Sequence, residues 1–181
     1  DFCHYFASHG YAVLQTPTMD HRLQDERWML LGEWAWDAMA GLSAALARPE
    51  IDAHRIGVVG LSTGAQITQI VVALDDRPRA AVVAGIFGTR NHTRRHFRIP
   101  PHCDCGSGKT LYAHLEPADL AALAAPKAVQ IQHGRQDHVM YPGADPAKLD
   151  LFWNMGVMPP QEFAHAVEEV QRAYRLAGVP E

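Results

Sequence analysis

The sequence has few of the residues that define several protein classes. Only 3 of its 181 residues are cysteine, and the spacing of Cys103 and Cys105 does not suit a disulfide framework. No apolar run approaches the roughly 20 residues that a membrane-spanning helix needs. Lys and Arg number 16 against 20 Asp and Glu, which gives a net charge of −4. A general electrostatic affinity for nucleic acid is therefore not expected.

What the sequence does contain is enough apolar material for one folded domain. Hydrophobic residues make up 48% of the chain and charged residues 20%, which is typical of globular proteins and argues against disorder. The length suits one core and is short for two. We therefore expect a single domain over residues 1–181, with a long polar loop at residues 88–112.

Short apolar runs alternate with helical patterns along the chain. The runs predict four buried strands, at Tyr11–Thr16, Arg55–Gly60, Ala80–Phe87 and Ala128–His133. Helices are predicted at about residues 23–47, directly after Ser62, at Pro117–Leu123 and around Phe163–Tyr174. The helix after Ser62 is predicted to be amphipathic, and the last helix to have one apolar face. The apolar positions are Ile67, Ile70, Val71 and Leu74 in the former and Phe163, Val167, Val170 and Tyr174 in the latter. Because the strands are continuously apolar and alternate with helices, the pattern predicts a parallel sheet with helices on both faces.

The motif that says most about function is Gly60-Leu-Ser-Thr-Gly64, a G-x-S-x-G between a predicted strand and a predicted helix. A serine on so sharp a turn has strained backbone angles, and the chain passes close by, which requires small residues two positions away on either side. The turn exposes the Ser62 hydroxyl and leaves the Thr63 amide facing an oxyanion formed by nucleophilic attack. The alternative is an ordinary turn in which Ser62 caps the helix.

The segment from Arg48 to Gly64 resembles the nucleophile region of α/β-hydrolases, closest to the dienelactone-hydrolase and acetylxylan-esterase-like branch. The resemblance extends over about residues 11–141 and includes Ala73–Arg77, His102-Cys103 and Asp119–Pro126. It implies the α/β-hydrolase fold, with an open and mostly parallel sheet. Two positions depart from the branch: Ala65 stands where many members have a second glycine, and dienelactone hydrolases proper use cysteine where this chain has Ser62.

The serine needs a base, and the base needs a carboxylate that orients it. His133-Gly-Arg-Gln-Asp137 resembles the family's Gly-x-x-Asp loop, which implies that Asp137 is the acid; the alternative is that Asp137 is only a turn residue. His165 is the one histidine after His138, but it lies about 200° around a helix from apolar Phe163, so it is a weak candidate for the base.

The resemblance also implies parts of the fold outside residues 1–181. We expect the catalytic histidine beyond Glu181, after a further strand. A strand before Asp1 would carry the second oxyanion donor and would lie in the sheet between the strands predicted at residues 11–16 and 55–60. Without it, two strands would present unpaired backbone groups to each other, so we expect residues 1–181 alone to fold poorly.

The expected activity is therefore that of a serine hydrolase that cleaves carboxylic esters through an acyl-enzyme on Ser62. The resemblance suggests acetylated sugars or small esters as substrates. The reaction requires no cofactor, and the charge and the lack of long apolar runs argue against nucleic acid and a membrane as partners. A homo-oligomer is left open. A peptidase or thioesterase of the same fold is one alternative. A catalytically inactive hydrolase-fold module that binds a ligand or partner is another.

Two further motifs lie in the polar loop. His92, His96, His102, Cys103 and Cys105 are all metal-ligating residue types, but their spacing matches no common zinc template, so no metal site is predicted. Gly106-Ser-Gly-Lys-Thr110 resembles the end of a phosphate-binding loop. Cys103 occupies the position where that motif needs its first glycine, so nucleotide binding is not predicted either.

Overall fold

The computed structural model describes residues 2–16, 30–85, 87–88, 114–133 and 160–179. Three of the four predicted strands are confirmed, with ends shifted by only a few residues. The predicted helix at Pro117–Leu123 has the bounds given by the sequence. In chain order the elements are α1 (Phe2–Ser8), α2 (Leu30–Leu46), β1 (Gly57–Leu61), α3 (Thr63–Leu74), β2 (Ala80–Ala84), α4 (Pro117–Leu123), β3 (Ala128–Gln132) and α5 (Pro160–Leu176).

The three strands form one parallel sheet in the order β1-β2-β3. Gly57 is paired with Ala80, and Ala80 is paired with Ala128. All three strands therefore end at the same edge, where Leu61, Ala84 and Gln132 lie side by side. Loops that follow the carboxyl ends of parallel strands meet at that edge, which is where open α/β sheets bind their ligands.

The strand predicted at Tyr11–Thr16 is wrong for this structure. The segment has no strand assignment, and its apolar side chains are largely exposed, with Tyr11 at 60% and Leu14 at 55%. A strand is stable only when its backbone groups pair with a neighbour, and no strand in the described residues pairs with this segment. The segment instead lies against α2, where the Leu14 side chain approaches Gly41.

The two faces of the sheet have different surroundings. On one face, Val58, Val129 and Ile131 pack into the clusters formed by the helices. On the other face, Val59 is 45% exposed and Leu61 54% exposed to solvent within the described residues. The parallel sheet with packed helices confirms the predicted fold class, and the helices whose packing is described cover its first face.

Helix α3 lies at the centre of this packing. It contacts β1, β2, α2 and α4, and all its residues from Ala65 to Val72 are buried. Ile67, Ile70 and Val71 join the largest core cluster as expected, together with Leu31, Trp34, Ala35 and Leu120. Leu74, expected on the same side, is 69% exposed. The predicted amphipathic character is wrong, because packing on several sides also buries polar residues of the helix: Gln66, Thr68 and Gln69.

An arginine connects the end of α3 to α2. The Arg77 guanidinium donates through Nε to both carboxylate oxygens of Asp75, at 2.9 and 3.0 Å. Its other nitrogens donate to Ser43 Oγ at 2.8 Å and to the Met39 carbonyl at 3.0 Å. The hydrogen bonds from Arg77 hold the pKa of Asp75 below its usual value, although burial of the carboxylate opposes them.

Helix α5 is attached to the start of β3 by one buried polar contact. The Tyr174 hydroxyl donates to the Lys127 carbonyl at 2.6 Å, and burial raises the pKa of Tyr174. The predicted apolar face of the helix is confirmed, since Phe163, Val167 and Val170 pack with Phe87 and Ala118.

Candidate active site

Ser62 occupies the turn between β1 and α3 in a strained conformation. Its backbone angles are φ 56° and ψ −120°, and within the described residues it is the only non-glycine residue with a positive φ. Such a conformation costs on the order of 1–3 kcal/mol and persists only where the surrounding structure imposes it. The turn therefore has the strain that the sequence motif predicts.

The close approach of backbone that the motif predicts occurs at Gly60. A Cβ at that position would stand 2.0 Å from the Gly64 carbonyl oxygen and 2.6 Å from Thr68 Oγ1. A Cβ at Gly64 would have no atom of the described residues within 4 Å, apart from its chain neighbours and the nearby backbone of its own helix. The sequence predicts that both glycines must be small, but the structure requires this only at Gly60. A Cβ at Gly60 would point into the first turn of α3, whereas a Cβ at Gly64 would not.

The Ser62 side chain does not cap α3. Its hydroxyl makes no capping hydrogen bond, and the residue is exposed. Its carbonyl accepts from the amides of Ala65 at 2.8 Å and Gln66 at 3.2 Å, while the amide of Thr63 begins the helix. The hydroxyl therefore lies at the N-terminal end of a 12-residue helix, where the partial positive charge of the backbone amides favours a developing anion.

The hydrogen-bond ladder of the sheet continues beyond the strand ends and aligns three residues. The Ser62 amide donates to the Ala84 carbonyl at 2.9 Å, and the Gly85 amide donates to the Gln132 carbonyl at 2.9 Å. Ser62, Gly85 and His133 therefore follow one another across the edge. At roughly 4.8 Å per strand, His133 lies about 10 Å from Ser62.

Aromatic side chains cover the β3 end of this edge. The Phe163 ring lies 5.9 Å from the His133 ring and 5.9 Å from the Phe87 ring, measured between centroids. Phe87 is buried, whereas Phe163 and His133 are half-buried. The edge thus has an exposed hydroxyl at its β1 end and an aromatic cluster at its β3 end.

Solved structures similar to this chain are esterases. One is described as a promiscuous CE15 esterase from a marine bacterial metagenome, with a TM-score of 0.59, 15% identity, and coverage of 93% of this chain and 43% of that one. A candidate acetyl xylan esterase from Bacteroides fragilis NCTC 9343 has a TM-score of 0.61 and 18% identity, with 100% and 41% coverage. A glucuronoyl esterase from Solibacter usitatus has a TM-score of 0.55 and 16% identity, with 94% and 41% coverage.

The chain has the α/β-hydrolase fold. It spans about two fifths of the length of these structures. No family model and no curated protein matches the sequence. At 15–18% identity the likeness shows the fold alone.

The other candidate site residues are Asp137, His165 and the histidines and cysteines of the polar loop. Asp137 lies outside the described residues, and its role as the acid stays a prediction. His165 lies on the exposed side of α5 with its ring 3.6 Å from the Glu169 carboxylate, as the helical period predicts for a residue off the apolar face. Most of the loop predicted at residues 88–112, with its histidines and cysteines, also lies outside the described residues.

The described residues contain neither a candidate membrane span nor a candidate metal cluster. No described helix is long and apolar enough to cross a membrane. The described residues contain no group of three or more His, Cys, Asp or Glu side chains suited to hold a metal ion.

One buried residue beside the Ser62 turn has no signal in the sequence. Gln66 is 0% exposed and follows Ser62 by one helical turn. Its polarity placed it on the solvent side of an amphipathic helix, and no local signal in the sequence shows that other helices cover that side. Only the packing of α3 reveals it.

The strain at Ser62 leads to a testable difference between two variants. We expect Ser62→Gly to have a higher free energy of unfolding than Ser62→Ala, by about 1–2 kcal/mol, because glycine adopts a positive φ without strain and alanine does not. Urea denaturation of both variants measures the difference. Equal stabilities, or a more stable alanine variant, would contradict a strained turn.

Proposed function

We propose that the protein is a serine hydrolase that cleaves carboxylic esters, with Ser62 as the nucleophile. The observation that carries the proposal is the conformation of Ser62: a non-glycine residue held at φ 56°, with an exposed hydroxyl that does not cap the helix behind it. A serine that served only as a helix cap would have no need of this strain. The esterase names of the similar structures support the same class of reaction.

In the proposed reaction the Ser62 oxygen attacks the acyl carbon of the ester, and its proton passes to a histidine base. Asp137 orients that histidine in the proposed reaction. The Thr63 amide donates to the oxyanion of the tetrahedral intermediate. Collapse of the intermediate expels the alcohol, which takes the proton from the histidine, and leaves an acyl-enzyme. Water then attacks the acyl carbon and releases the carboxylic acid and free Ser62.

The substrates that we propose are acetylated sugars and other small esters. The acyl transfer itself needs only the nucleophile, the base with its acid and the oxyanion donors, so no cofactor is included. Hydrolysis of acetylated xylan oligosaccharides, compared with p-nitrophenyl acetate, would measure the preference for a sugar over a simple alcohol.

A fluorophosphonate probe tests the nucleophile. We expect the full-length protein to be labelled at Ser62, because the oxygen of a serine activated by an adjacent base attacks the phosphorus of the probe and displaces fluoride. Ser62→Ala should abolish labelling, which mass spectrometry of the intact protein detects.

The matched control is Ser8→Ala, which removes an exposed serine whose hydroxyl bonds only to local groups of α1. It should leave labelling unchanged. Absence of labelling in a wild-type protein that circular dichroism shows to be folded would contradict the proposal and favour an inactive module of the same fold.

A further inference from the structure

The carboxamide of Gln66 is an unusual group for the interior of α3. The side chain is 0% exposed, and neither its nitrogen nor its oxygen has a hydrogen-bond partner among the described residues. Leaving a buried polar group unsatisfied costs on the order of 1–3 kcal/mol. Buried amides in proteins are nearly always satisfied, by protein groups or by internal water.

The position of Gln66 connects it to the nucleophile. Its backbone amide donates to the Ser62 carbonyl at 3.2 Å, so the two residues are joined through the first turn of α3. Side chains of an α-helix lean toward the helix N-terminus and cover the preceding turn. From Gln66, that direction leads to the turn that contains Ser62 and Thr63.

We propose that Gln66 is a positioning residue, whose carboxamide binds an internal water molecule beneath the Ser62 turn and so holds the turn in its strained conformation. The inference rests on the proposed function, because a positioning role has meaning only if Ser62 reacts. Water suits the site because it both donates and accepts, as both ends of a carboxamide require. Hydrogen bonds from this water to the backbone of the turn then maintain the strain at Ser62.

The test is Gln66→Met, which keeps the length of the side chain and removes both polar atoms. Without the amide and its water the turn can relax from its strained conformation, so we expect an equal or higher melting temperature. The rate of fluorophosphonate labelling should nevertheless fall about tenfold to a hundredfold, as for a displaced catalytic group. The matched control is Gln69→Met, at another fully buried glutamine of α3 whose Nε2 donates to the Ala65 carbonyl at 3.3 Å; it should label at the wild-type rate.

A conservative variant provides a second readout. Burial favours the protonated form of the carboxyl in Gln66→Glu, and that form both donates and accepts as the amide does. We expect this variant to approach the wild-type labelling rate at pH 5.5 and to lose rate relative to the wild type as the pH rises to 8. A crystal structure of the wild type should also show a water within about 3.0 Å of the carboxamide.

The outcomes separate this inference from the proposed function. A folded wild type that is not labelled overturns both. A labelled wild type with Gln66→Met at the same rate overturns the positioning role alone. A fall in labelling that is matched by a fall in melting temperature, without the pH dependence of Gln66→Glu, also overturns it, because Gln66 would then be only structural.

Discussion

Replacing Gly60 with alanine should lower the free energy of unfolding by about 3 kcal/mol or more, at or above the top of the usual range for overpacking. The added methyl group would stand 2.0 Å from the Gly64 carbonyl oxygen and 2.2 Å from its carbon. Both atoms belong to the backbone at the start of α3, so no side chain can rotate away. Urea denaturation of the full-length variant, with its yield of folded protein, measures the loss.

The matched control for Gly60→Ala is Gly64→Ala, on the other side of Ser62. No atom of the described residues lies within 4 Å of the methyl group that it adds, and the residue is in the first turn of a helix. Alanine favours helix over glycine by up to about 1 kcal/mol, so we expect equal or higher stability. Similar losses for the two variants would contradict the one-sided packing of the turn.

The second large effect is expected from Arg77→Ala. The change removes the guanidinium that bonds to Asp75, Ser43 and the Met39 carbonyl, and it leaves a carboxylate that is only 8% exposed without its partner. Loss of one member of a buried pair costs about 3–5 kcal/mol. Because the Arg77 side chain is itself 34% exposed, we expect about 2–3 kcal/mol in urea denaturation at pH 7.

The control for Arg77→Ala is Asp76→Ala, which removes a neighbouring and fully exposed carboxylate that lies 3.5 Å from Lys127 Nζ. Because the Asp76 carboxylate is fully exposed, its ion pair contributes little to stability. Lys127 Nζ keeps its hydrogen bond to the Val72 carbonyl in the variant, so Asp76→Ala should unfold like the wild type. If Asp76→Ala were as destabilising as Arg77→Ala, the connection between α3 and α2 would not explain the effect.

The same pair predicts a pH dependence of stability. Arg77 holds the pKa of Asp75 below its usual 3.8, so the folded state binds the proton more weakly than the unfolded state. The contribution is therefore fully present above pH 3.8 and is lost as the pH falls through the lower pKa of the folded state. The difference in unfolding free energy between wild type and Arg77→Ala should accordingly shrink in acid; a constant difference down to pH 2 would contradict it.

Local patterns in the sequence were sufficient to predict features that depend only on residues close together along the chain. Continuous apolar runs predict β1, β2 and β3, and Pro117 after Glu116 predicts where α4 begins. The helical period predicts that Phe163 faces the core and that His165 does not. The strain at Ser62 also follows from local sequence, because G-x-S-x-G between a strand and a helix permits few backbone paths.

Tertiary contacts decided the features that local patterns could not supply. Tyr11–Thr16 has the composition of a strand but no strand partner among the described residues, and strand structure depends on hydrogen bonds to a neighbour. Gln66 has the polarity of a surface residue but is buried, because α2, α4 and the sheet surround α3. By itself the sequence determined the turn, the nucleophile candidate and the order of the elements, all of which depend on neighbours along the chain. Pairing and burial depend on distant residues, so only the tertiary structure decided them.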